Sequence, residues 1–231
     1  MNLVVSKLGK LSQAAAAATL FAASPGVAQT NDHAPVALQS AKKLTQEKAD
    51  SETWTYMKPG LKLTGYQSLI VDPTLIYTGP DAQFDGIDAT DRAKYAEIIT
   101  LALRQEIAKI LPVIARPGET TLRLRVTLLG AKKTKGGIAT ATRLTTFGFA
   151  ANALKSVAGK PGTMTGSILY AVELLDSKSG ELLVAGVRRR SPDALDIPAT
   201  LSTTDTVKAI AHDFAGAIRD RLEKATDKSS Q

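Results

Sequence analysis

Residues 121–129, "TLRLRVTLL", alternate apolar and polar side chains almost without exception. Leu122, Leu124, Val126 and Leu128 fall on one face of an extended chain, and Arg123, Arg125 and Thr127 fall on the other. A period of two commits this stretch to a β-strand, because a helix would scatter those leucines around its circumference. A strand apolar on one face must be covered on that face by another layer. The rest of the chain supplies the candidates.

Two segments carry helical periodicity. In residues 88–112 the apolar set is Tyr95, Ile98, Ile99, Ala102, Leu103, Ile107, Ile110 and Leu111, spaced by three and four. Asp88 or Thr90 is placed to cap the start, and Pro112 stops the end. In residues 202–225 the corresponding stripe is Val207, Ile210, Ala211, Phe214, Ile218 and Leu222, with Ser202 or Thr203 as the cap. Further strands are read in "GYQSLIVDPTLIY" (65–77), bent or ended at Asp72-Pro73, and in the pair 167–176 and 181–190. The loop Ser177–Gly180 joins that pair as a hairpin and offers a glycine where a left-handed residue is needed. The order β, long α, β, β-hairpin, long α predicts an α+β fold. It is read as a two-layer sandwich, with two long helices on one face of a largely antiparallel sheet of four to five strands.

The N-terminus reads as an address. Lys7 and Lys10 precede an apolar run over 11–23, Pro25-Gly26 break it, and Gly26-Val27-Ala28 present the small residues that a signal peptidase reads. Residues 1–28 are therefore expected to be a secretory signal peptide, cleaved after Ala28. The run is shorter than the roughly 20 residues of a transmembrane helix, so the chain is not expected to span a membrane. Removal of that segment takes the formal net charge from +7 to +5. Residues 29–53 read as a flexible polar tether, 54–225 as a single domain with an insertion at 130–165, and 226–231 as a disordered tail. With export, nucleic acid leaves the list of partners despite the basic balance. An envelope protein or an anionic lipid or glycan surface takes its place. Nothing in the sequence fixes an oligomeric state.

The opposite face of the sheet is then expected to carry Arg123, Arg125, Glu173, Arg188 and Arg190, with Arg189 turned to the other side. Two readings fit: a solvated face with cross-strand ion pairs, or a docking face for an acidic partner or lipid headgroup. The insertion begins with Lys132, Lys133 and Lys135 and continues into an apolar stretch holding Leu144, Phe147, Phe149 and Leu154. It reads either as a surface helix docked on the sheet edge or as a segment entering a membrane interface or a partner's groove.

Catalytic signatures are scarce. Cysteine is absent, so thiolate catalysis, disulfides and cysteine-ligated metal are excluded. Only His33 and His212 provide imidazoles, and His212 falls on the polar side of its helix. There is no P-loop, no G-x-S-x-G elbow and no H-E-x-x-H. Asp81, Asp85, Asp88 and Asp91 lack EF-hand spacing and are accounted for by helix capping and the macrodipole. No cofactor or metal is expected. The principal reading is a non-catalytic binding or assembly module. The alternative is an envelope hydrolase or transferase using carboxylates such as Asp72, Asp176 or Glu181.

Three stretches carry a family resemblance: residues 65–77, "RPGETTLRLRVTLLGA" (116–131) and "AVELLDSKSGELLVAGVRR" (171–189). The sequence resembles bacterial domain-of-unknown-function family 3313 over roughly residues 54–225. The resemblance implies an envelope location and an α/β domain, and it brings no catalytic residue with it. Many members look lipid-anchored through a cysteine after the signal peptide. This chain has none, which implies a free or peripherally associated periplasmic protein rather than a lipoprotein.

Overall fold

The computed structural model describes residues 37–48, 53–133, 166–191 and 202–226. In chain order the elements are β1 (Thr45–Gln46), β2 (Trp54–Met57), β3 (Ser68–Val71), β4 (Leu75–Ile76), β5 (Gln83–Asp85) and α1 (Ala89–Ile107). They continue with β6 (Thr121–Lys132), β7 (Ser167–Asp176), β8 (Leu182–Arg190) and α2 (Thr203–Thr226). Among the described residues the fold is α+β with two long helices, as expected, but the sheet is larger and mixed.

Eight strands take part among the described residues, in the order β1-β2-β8-β7-β6-β3, with β4 and β5 also paired to β6. β3, β4 and β5 run parallel to successive stretches of β6, so one edge of the sheet is built from three short pieces. Parallel pairing follows from connectivity: α1 carries the chain back across the sheet before β6 begins, and such a crossover returns it in the same direction. β1, β4 and β5 have two or three residues each, too few to display a period of two. A count from alternation alone therefore stops at four to five strands.

α1 starts where Asp88 accepts a 2.8 Å hydrogen bond from the Asp91 amide. α2 starts where Ser202 Oγ accepts from the Asp205 amide at 3.1 Å and donates to the Asp205 carboxylate at 2.6 Å. The stripes of both helices join Leu122, Leu124, Val126 and Leu128 in one core. Full burial of one such leucine or isoleucine stabilises by about 1.5–3 kcal/mol.

The other face of the sheet carries a smaller core of Trp54, Tyr77, Leu129, Leu169, Ala171 and Val187, with Leu38 and Leu44 packed on it. Residues 37–48 belong to the stretch read as a tether, yet they lie against this face. Ser40 is buried, the Ala37 amide donates to the Tyr77 hydroxyl at 3.0 Å, and β1 pairs with β2. Gly130, Ala131 and Lys132, read from sequence as the start of the insertion, are the last residues of β6. A Cβ at Gly130 would lie 2.4 Å from the Gln83 carbonyl oxygen, so glycine permits the β5–β6 approach.

The β7–β8 hairpin contains the decisive irregularity. Leu175 pairs with Leu182 next to the turn, but Leu174 pairs with Val184, leaving Leu183 as an extra residue. A one-residue bulge inverts the facing of everything beyond it. Counted from the turn without a bulge, Arg188 and Arg190 would share the face of Arg123 and Arg125. With it, they face the helices, and Arg189 takes the other side.

Candidate functional site

Arg188 and Arg190, expected on the outer sheet face, instead line a cleft between the sheet and α2. Its floor is Leu124, Val172, Leu174 and Val184; its helical wall is Phe214, Ala217, Ile218 and Leu222. The cleft holds about 570 Å³ of open space, its solvent-filled mouth included. Arg221, from α2, is the third guanidinium in the lining.

Tyr170 anchors the charged end. It pairs with Arg188 across the strands, is 4% exposed, and its ring lies 4.3 Å from that of Phe214. Burial pushes its phenol pKa up, while Arg190, Arg188 and Arg221 pull the other way. The converse effect acts on the arginines. Removal from water pulls Arg188 down, opposed by Tyr170 and by Glu47, whose carboxylate is 3.6 Å from Arg188 Nη2. Arg221 is pulled down by desolvation and then by the charges of Arg188 and Arg190. Guanidinium stays protonated under such shifts, so the three cations crowd one another in a half-dry site. An anion placed among them would relieve that crowding.

Arg221 was not singled out from sequence, although a signal was present. It lies three residues after Ile218 and seven after Phe214, which sets a guanidinium on the flank of the apolar stripe. Arg219, two residues earlier, projects about 200° away around the helix. It donates instead to Glu106 of α1. Glu106 is buried, accepts from Lys109 Nζ at 2.6 Å and lies 3.7 Å from His212 Nε2. The hydrogen bond from Lys109 outweighs burial and, with the charges of Lys109, Arg219 and His212, holds the Glu106 carboxyl below its usual range.

The remaining candidates are distributed elsewhere. Arg123 and Arg125 do face away from the helices, and both are tied. Asp72 lies 3.6 Å from Arg123 and 3.7 Å from Arg125, while Glu173 lies 3.8 Å from Arg125. Gln39, from the segment packed on that face, accepts from Arg125 at 3.2 Å. Arg189 is buried and donates to Ser167 Oγ and Gln83 Oε1. Lys132 ends β6 half-buried and Lys133 is exposed. Lys135, Leu144, Phe147, Phe149 and Leu154 lie outside the described residues.

The three carboxylates proposed for catalysis are each engaged in structure. Asp72 serves the two arginines just named. Glu181 accepts from Lys58 at 2.7 Å. Asp176 closes the hairpin turn, accepting from the Ser179 amide at 2.7 Å, Ser179 Oγ at 2.8 Å and the Lys178 amide at 3.1 Å. The Tyr66 hydroxyl adds a fourth bond at 2.9 Å. Burial pushes the Asp176 pKa up, but these bonds outweigh it and hold it low. The Tyr66 phenol is correspondingly pushed up to about 12, by burial first and then by Asp176.

Fold and site together define a mixed-sheet α+β domain with an arginine-rimmed cleft along the flank of its second helix. The chain belongs to the family described as "Protein of unknown function (DUF3313)", whose model matches residues 36–218. The match takes in residues 37–48, in keeping with their packing on the sheet. No curated protein matches the sequence. Among solved structures, the chain is similar to a PelC dodecamer from Paraburkholderia phytofirmans at 13% identity and TM-score 0.39, covering 74% of this chain and 96% of that one. It is also similar to a DUF4136 family protein from Bacteroides thetaiotaomicron, at 11% identity and TM-score 0.37, covering 74% and 97%. A third is a DUF330 protein from Xanthomonas campestris, at 9% identity and TM-score 0.32, covering 71% and 90%. Among the described residues, no helix is long and apolar enough to cross a membrane.

Proposed function

We propose that this chain is a non-catalytic binding or assembly accessory module of the bacterial envelope, and that it engages an anionic ligand at the cleft beside α2. One observation carries the reading: Arg188, Arg190 and Arg221, from two different elements, line one apolar cleft around a buried tyrosine. Guanidinium groups on a low-dielectric wall bind anions more strongly than the same groups spread over a wet surface. The segment over 1–28 supports the envelope location through its signal-peptide pattern. The enzyme alternative is weakened because Asp72, Asp176 and Glu181 already serve ion pairs and a turn.

The test is calorimetric titration with tripolyphosphate, a compact polyanion with no apolar part. R188Q/R190Q should lower its affinity at least tenfold, whereas R123Q/R125Q, which removes the same charge from the other face, should leave it within twofold. Equal losses in the two variants would mean diffuse charge attraction and would refute the cleft as the binding site.

A further inference from the structure

One of the cleft arginines already meets an anion of the chain's own. Residues 37–48 wrap an edge of the sheet. Leu38 and Leu44 pack on the smaller core and Gln39 accepts from Arg125, all on the face away from the helices. The end of the segment turns to the other face. Gln46 pairs with Trp54, a member of that smaller core, so alternation directs the next residue, Glu47, to the helix side. The Glu47 amide donates to the Thr53 carbonyl at 3.0 Å, one step before the Trp54–Val187 pair and therefore level with Arg188. Glu47, Arg188 and Tyr170 thus lie in one row across the sheet, with the Glu47 carboxylate 3.6 Å from Arg188 Nη2.

The two partners are unequally fixed. The Arg188 side chain is 12% exposed and that of Glu47 is 31% exposed. Arg188 is held within a strand, beside Tyr170 and in one lining with Arg190 and Arg221. Glu47 lies just past the last residue of β1, so its side chain can swing into water without breaking a strand pair.

We propose that Glu47 is a tethered counter-anion, which occupies Arg188 until an anionic ligand takes its place and so sets the affinity threshold of the cleft. The proposal rests on the anion-binding reading above and names how that site is regulated. A carboxylate brings one charge and two oxygens in a plane, whereas a phosphoryl group offers oxygens to several guanidinium groups at once. Such a ligand displaces Glu47; a weaker one loses to a competitor that the chain holds at high local concentration. The two anions do not share the site, because their charges repel across a half-dry wall. A partly exposed ion pair favours its closed arrangement by roughly two- to fivefold, and apparent ligand affinity falls by the same factor. The opposite role is a permanent brace, in which Glu47 holds Arg188 in the posture that binds. The two roles differ in sign.

The test titrates the full-length protein, as recovered from cells, with tripolyphosphate by calorimetry, and compares wild type, E47Q, R188Q and E47Q/R188Q. E47Q should tighten binding roughly two- to fivefold. In the R188Q background the same substitution should have almost no effect, because no guanidinium is left there for Glu47 to occupy. E119Q removes an equal charge beside Lys178 at the hairpin turn, the far end of β8 from Arg188, and should leave affinity unchanged. If R188Q fails to fold, the contrast between E47Q and E119Q carries the test. Weaker binding by E47Q would overturn the proposal and make Glu47 a brace for Arg188. Unchanged binding would overturn it as well and leave the anion site standing. An equal gain from E119Q, or a gain from E47Q that persists undiminished in R188Q, would overturn it by showing long-range charge at work. Tripolyphosphate binding that is independent of Arg188 and Arg190 would instead remove the underlying anion site.

Discussion

Tyr170 on β7 and Arg188 on β8 are cross-strand partners, and both turn toward α2. Their shared facing depends on Leu183, the unpaired residue that shifts the register of the hairpin by one. Replacing Tyr170 by phenylalanine keeps the ring on Phe214 but removes the hydroxyl that lies within hydrogen-bonding reach of Arg190. Y170F should lower unfolding free energy by about 1–2 kcal/mol, as expected when a buried polar partner is deleted. Urea denaturation with an unchanged m-value would check this; a change below about 0.3 kcal/mol would show that the hydroxyl does not brace the arginines.

Glu106 joins the two helices through Lys109, Arg219 and His212. Its carboxyl is held below the usual range, so its contribution to stability is complete above the unfolded-state pKa of about 4.5 and is lost as pH falls through the lower folded value. Asp176 acts in the same direction. Stability should be flat from pH 7 to about 5 and then fall with acid. E106Q should cost about 2 kcal/mol at pH 7 and flatten that decline. Thermal melts of both proteins from pH 3 to 7 would measure it, and parallel profiles would contradict the assignment.

Gly130 lies where β5 comes alongside β6. G130A should destabilise by at least about 2 kcal/mol, because the new methyl meets Gln83 backbone rather than a movable side chain. Chemical denaturation reads the shift directly, and a neutral outcome would mean that β5 can move aside.

Asp176 accepts four hydrogen bonds at the hairpin turn, where Gly180 adopts φ +72°. D176A should cost about 2 kcal/mol through the turn while leaving tripolyphosphate binding unchanged, since the cleft is lined by other residues. Calorimetry on the folded variant separates those effects. A loss of binding without a loss of stability would return Asp176 to the list of functional residues.

The helices were legible because their signals are long: the stripes of α1 and α2 extend over several turns, and their caps sit where Asp88 and Ser202 indicated. β6, β7 and β8 were legible from alternation. The site was only half visible. Arg188 and Arg190 stood out as charges, but their facing was inverted by a bulge at Leu183, which sits inside an unbroken apolar run and has no local signature. Arg221 was hidden for a different reason. It occupies a helix flank, where a long basic side chain is ordinary, and only the fold sets it beside two arginines about thirty residues earlier. Residues 37–48 look like a tether because so few of them are apolar; Leu38 and Leu44 bind the segment to a face whose existence depends on residues far away in sequence.

The central claim is that anionic ligands meet Arg188, Arg190 and Arg221 and bypass Arg123 and Arg125. Arginine modification by phenylglyoxal, mapped by mass spectrometry with and without saturating tripolyphosphate, tests it residue by residue. Slowed modification of the three cleft arginines, with Arg123 and Arg125 reacting at unchanged rates, is the predicted result. Protection of Arg123 and Arg125, or of none of the five, would contradict it.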